Sequence, residues 1–119
     1  MSTPIGAICH LELFVSSLDK SPKFYESLFG WKTSGHDSGY LFWEDTDGFT
    51  GGFTTAGGPV INPAATFYIR VDNISEMLKK IARKGGTIIR EKTEIGGDNG
   101  CYALFRDLSG NNVGLWAAD

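Results

Sequence analysis

Residues 15–30 read VSSLDKSPKFYESLFG, and residues 71–86 read VDNISEMLKKIARKGG. Each stretch opens on a valine that closes an apolar strand pattern, and each ends on a glycine 15 positions later; the offset between them is 56. In the first, Ser21 is expected as the N-cap, with Pro22 at the first helical position, where its missing N–H costs nothing. Phe24, Tyr25, Leu28 and Phe29 gather on one side of that helix as its core face, and Gly30 ends it. In the second, Asn73 caps a helix with Glu76 in capping-box position. Ile74, Met77, Leu78, Ile81 and Ala82 form its apolar stripe, and Gly85-Gly86 ends it.

Working outward, a strand is expected to begin near Ile5, with Ile8, His10, Glu12 and Phe14 alternating against Cys9, Leu11, Leu13 and Val15. After the first helix come short strands at Trp31–Ser34, Tyr40–Glu44 and Phe49–Thr55, the last two joined by the turn Asp45-Thr46-Asp47-Gly48. Gly57-Gly58-Pro59 through Asn62-Pro63 reads as a linker. The second half repeats the plan with strands at Ala65–Val71, Thr87–Arg90, Cys101–Arg106 and Asn112–Trp116. Its loop Gly96-Gly97-Asp98-Asn99-Gly100 is glycine-rich, and Asp107-Leu108-Ser109-Gly110 is a second tight turn. Each half therefore reads strand–helix–strand–strand–strand, an internal repeat. One such half has a helix for only one face of its sheet. The expected fold is α+β: two βαβββ modules with pseudo-two-fold symmetry, forming a cup-shaped sheet with the helices outside. The chain is read as one domain, 1–119, with modules at about 5–56 and 64–117.

The composition is that of an ordinary globular protein of 119 residues: 41% apolar, 13% aromatic and 21% charged. The net charge of −3 argues against a nucleic-acid coat or an anionic membrane as partner. Charge is uneven, −4 over residues 1–60 and +1 over 61–119. Lys79, Lys80, Arg83 and Lys84 fall on the second helix and read as a solvated face. Two cysteines, Cys9 and Cys101, make no disulfide scaffold and are expected to be buried small hydrophobes. The start lacks a basic region and a long apolar run, and no stretch approaches the length of a membrane span, so the expected location is cytoplasmic.

Four segments carry a family resemblance. They are Ile8–Val15, Ser21–Trp31, Val71–Ile74 and Phe105–Trp116. The second is close to S-x-x-F-Y-x-x-x-F-G-W and the fourth to F-x-D-P-x-G-N-x-x-G-L-W. In this order they resemble the vicinal oxygen chelate superfamily, which holds glyoxalase I, bleomycin-resistance proteins and extradiol dioxygenases. The nearest subgroup is the bacterial glyoxalase-like proteins of mostly unassigned activity.

In metal-dependent members, ligands come from the first and last strand of each module. The resemblance places those positions here at His10, Gly52, Thr66 and Gly114. Two glycines, a threonine and one imidazole make a poor divalent-metal set, so no metal and no cofactor are expected. The glycines either open the backbone to a ligand or permit tight sheet packing.

Alternation then turns Glu12 and Phe14 inward beside His10, Tyr68 and Arg70 beside Thr66, Asn112 and Trp116 beside Gly114, and Thr50 and Thr54 beside Gly52. Tyr102 and Leu104 join them by resemblance, with one of Phe42 and Trp43. The set describes an aromatic pocket with a few polar groups. Three functions stay open at this point. One is a metal-free module that binds a small, partly aromatic molecule through Gly52, Thr66, Tyr68, Arg70, Tyr102, Asn112, Gly114 and Trp116. Another is a lyase or isomerase of the glyoxalase type, with His10 or Glu12 as general base and Tyr68 or Tyr102 as acid. The third is an accessory domain. No nucleophile motif or phosphate loop appears. The resemblance implies a homodimer, with the sheet edges as surfaces that must be covered.

Overall fold

The computed structural model describes residues 3–37, 39–58 and 66–119. The chain divides into two compact units, Met1–Pro59 and Val60–Asp119. The first contains β1 (Leu11–Phe14), α1 (Lys20–Phe29), β2 (Lys32–Asp37), β3 (Tyr40–Glu44) and β4 (Thr50–Thr54). The second contains β5 (Phe67–Arg70), α2 (Ile74–Arg83), β6 (Thr87–Glu94), β7 (Cys101–Arg106) and β8 (Asn112–Ala117). Each is thus a βαβββ module. The sheet orders match, β1-β4-β3-β2 and β5-β8-β7-β6. In both, the first strand lies parallel to the last and the remaining pairs are antiparallel.

Register shows the repeat at single-residue resolution. Glu12 stands beside Gly52 across the parallel pair of the first sheet, and Tyr68 beside Gly114 across that of the second. The two hairpin turns are also alike. Asp45 Oδ1 accepts the backbone N–H groups of Asp47 and Phe49, and Asp107 Oδ1 those of Ser109 and Asn111, each at 2.9 Å. Both turns close on a glycine at φ 91°, where a side chain would be strained.

The core of the first unit is aromatic. Trp31 stacks between Tyr25 and Trp43, with ring centres 4.6 and 4.2 Å apart, and Tyr25 lies 5.6 Å from Phe53. Phe24, Tyr25 and Leu28 of α1 are buried, with Leu13 and Phe53 of the sheet; Phe29 is only half-buried. Burying each such ring is worth about 1.5–3 kcal/mol. The second unit uses Ile74, Leu78 and Ile81 of α2 with Ala103, Phe105, Val113 and Leu115 of the sheet, all buried.

Several local expectations are corrected. β1 begins at Leu11, and Ile5, Ile8 and Cys9 are exposed. The β1–β4 ladder starts at the Leu11–Gly51 pair, and residues 5–10 lie ahead of it. Cys101 is buried as expected. The N-cap of α1 is Asp19, and the first free N–H groups are taken by Ser17 Oγ, which accepts from Asp19 and Lys20 at 3.2 and 2.9 Å. Ser21 and Pro22 fall inside the first turn and are buried. Gly30 ends the helix at φ 74°, as expected. Asn73 caps α2 by accepting from Glu76 N–H at 3.0 Å. Ala82 is exposed and outside the stripe. β6 runs four residues beyond Arg90 to Glu94, with irregular register against β7. The linker expected at 57–63 and the start of the strand at Ala65 lie mostly outside the described residues.

Candidate functional site

Each sheet has one face against its helix and one turned away from it. On the open face of the first sheet, cross-strand rows follow from register. One row is Ser34, Phe42, Gly52 and Glu12; the next holds Tyr40, Thr54 and Phe14. Of the expected pair, Phe42 and not Trp43 is the aromatic on this face: Phe42 is exposed here while Trp43 is buried on the other. His10 lies just ahead of β1, next to Phe42, with ring centres 6.3 Å apart. A groove of about 410 Å³ is lined by His10, Lys32, Ser34, Phe42, Glu44 and Thr50, among others.

Gly52 does not leave open space. The Tyr40 ring lies across it, where a Cβ would collide with the phenol. This carries the Tyr40 hydroxyl to His10 Nε2, at 2.7 Å, and to the Glu12 carboxyl. A phenol has one proton. If Glu12 takes it, His10 must donate its Nε2–H, which leaves the lone pair of a neutral imidazole on Nδ1. Burial, then the hydrogen bond to Glu12 and its negative charge, raise the Tyr40 phenol above its ordinary 10.0. Tyr40 was missed by the sequence reading, although two-residue alternation from Phe42 points to it.

On the open face of the second sheet, Tyr68, Leu104 and Gly114 share a row, and Arg70, Trp116 and Tyr102 the next. Gly114 is covered as Gly52 is, by the ring of Tyr68. Tyr68 and Tyr102 lie 6.5 Å apart, and the Arg70 guanidinium sits 5.2 Å from the centre of the Trp116 ring. Trp116 Nε1 donates to the Asn99 carbonyl at 2.9 Å, which fixes the indole. Asn112 Oδ1 accepts from Arg106 Nε at 3.2 Å, so Asn112 is partly occupied. Thr66 is exposed just ahead of β5. The expected residues thus group as His10, Glu12 and Gly52 on one sheet, and Thr66, Tyr68, Arg70, Tyr102, Asn112, Gly114 and Trp116 on the other.

The residues do not fit a divalent metal. Two of the four positions implied by the resemblance are glycines whose free side lies under a tyrosine ring, and His10 Nε2 is engaged by Tyr40. Among the described residues, no group of three or more His, Cys, Asp or Glu comes together to hold an ion. No helix among them is long and apolar enough to cross a membrane.

This repeated βαβββ architecture agrees with comparison to known proteins. Residues 7–115 match the model of the Glyoxalase/Bleomycin resistance protein/Dioxygenase superfamily, and the chain belongs to that family. A glyoxylase-like domain-containing protein of Didymella fabae is 24% identical over 114 residues, covering 89% of each chain. The fosfomycin resistance protein FosX of Listeria monocytogenes, solved with Mn(II) and sulfate, is similar in fold at TM-score 0.81 and 17% identity, covering 96% of this chain and 91% of that one. A family enzyme from Burkholderia phytofirmans gives TM-score 0.78 and 15% identity, covering 93% and 98%.

Proposed function

We propose that the chain is a cytoplasmic, metal-free binding protein for a small, partly aromatic molecule. The observation that carries this reading is the open face of the second sheet, where Tyr68, Tyr102 and Trp116 present ring surface away from the helix. Flat apolar walls with a few polar groups suit such a ligand. Replacing Gly114 with Leu tests it. The new side chain displaces the Tyr68 ring, which is 52% exposed and free to swing outward, so the fold survives. An aromatic ligand found by thermal-shift screening should lose at least about tenfold in affinity. Full affinity in that variant places binding elsewhere. Dialysed protein should hold no stoichiometric nickel, zinc or manganese by elemental analysis; a full equivalent lost in His10→Ala would defeat the metal-free part.

A second reading is favoured by the His10–Tyr40–Glu12 hydrogen-bond chain. His10 Nδ1 could take a proton from a substrate, and the imidazolium so formed would be steadied by Glu12 through the Tyr40 hydroxyl. Loss of turnover with retained binding in His10→Ala would favour this enzyme over the binder.

A further inference from the structure

Among the described residues, two guanidinium groups on the second sheet stand in no ion pair. Arg70 ends β5, and Arg90 stands in β6 with its Cζ 5.8 Å from the centre of the Tyr102 ring. Arg70 holds the matching position over Trp116. Tyr102 and Trp116 are direct cross-strand partners, so the arginines stand at either side of one aromatic pair. The ion pairs among the described residues are Lys23–Asp19 and Lys79–Glu76, and neither involves these arginines. Arg106, by contrast, donates to Asn112.

We infer that this face binds a flat organic anion, an aromatic carboxylate, with its ring against the Tyr102–Trp116 pair and its carboxylate taken by the guanidinium of Arg70 or of Arg90, which flank that pair from opposite edges of the sheet. The inference rests on the binding reading above and names the ligand class. A guanidinium offers the forked donors that match a carboxylate, and it is weakly hydrated enough to sit against a ring while doing so. Two such cations repel a cationic aromatic ligand, although bare rings would attract one. The half of the chain that carries both arginines, residues 61–119, has a net charge of +1, so it does not oppose an anion as residues 1–60 at −4 would.

The test is calorimetric titration of the whole chain with naphthoate and with its neutral isostere, naphthamide. Naphthoate should bind about tenfold more tightly, the scale of one charge-assisted contact at a partly exposed site. That preference should shrink in Arg70→Gln and in Arg90→Gln, vanish in the double variant, persist in a Lys79→Gln control, and weaken with added salt. Equal binding of both probes overturns the anion inference and leaves the aromatic reading standing. A naphthoate preference that survives the double variant also overturns it, because the anion is then held elsewhere. Failure of both probes to bind defeats the aromatic reading and this inference together.

Discussion

Tyr40 shows how one side chain can change the chemistry of a surface. Its phenol joins His10 to Glu12 and fills the space above Gly52. Tyr40 should therefore titrate above 10.0, identified as the tyrosinate absorbance missing from Tyr40→Phe. Glu12→Gln removes the charge and alters the hydrogen bond, so the titration should move down while the larger effect of burial stays. No movement would mean that Glu12 does not hold the phenol. The sign for stability follows from a raised folded-state value. The contribution is complete below 10.0 and is lost as pH rises through the raised value, so wild type should lose stability there relative to Tyr40→Phe in urea melts. The neighbouring glycines differ in kind. A Cβ on Gly51 would meet the Leu11 backbone oxygen and the Trp43 ring, neither able to yield, whereas one on Gly52 meets the far end of Tyr40. Gly51→Ala should cost about 1–3 kcal/mol in chemical denaturation. Gly52→Ala should cost less but return the Tyr40 titration toward 10.0.

Among the elements, the two aspartate turns position the last strand of each module, and with it Gly52 and Gly114. They are alike in backbone bonding but not in environment. Asp107 is 6% exposed and also accepts from Asn111 Nδ2 at 3.0 Å, while Asp45 is half-buried. Removing Asp107 takes the acceptor from the half-buried Ser109 and Asn111 N–H groups. Asp107→Ala should cost about 2 kcal/mol and Asp45→Ala about 1 kcal/mol. Urea midpoints should fall in that order with unchanged slopes. An equal fall would show that burial does not distinguish the turns.

For the whole molecule, we propose a homodimer. Among the described residues, each four-stranded sheet ends in strands laddered on one side, β1 and β2 in the first and β5 and β6 in the second. Edges of this kind invite pairing unless blocked. β6, the longest strand, carries Arg90, Glu91, Lys92 and Glu94, charges that argue against it as the paired edge. Light scattering should give twice the chain mass of 12.9 kDa, and a monomer at high concentration would refute the proposal.

The sequence by itself determined the order of elements, the repeat, the glycine end of α1, the Asn73 cap and the aspartate turns. These are local properties, set by propensity and by side chains bonding to nearby backbone. Alternation also assigned the faces of Glu12, Tyr68, Arg70, Asn112 and Trp116, because successive side chains on a strand point to opposite sides, whereas Tyr102 was placed by resemblance. The start of β1 and the length of β6 were decided by tertiary structure, since a residue counts as strand only where it joins a ladder. The same holds for the two covered glycines. Sequence shows that Gly52 and Gly114 lack a side chain, but not that Tyr40 and Tyr68 lie across them. The joining of His10, Tyr40 and Glu12 is likewise a tertiary fact: Tyr40 follows Glu12 by 28 positions, and only the β1-β4-β3 order brings them together across Gly52.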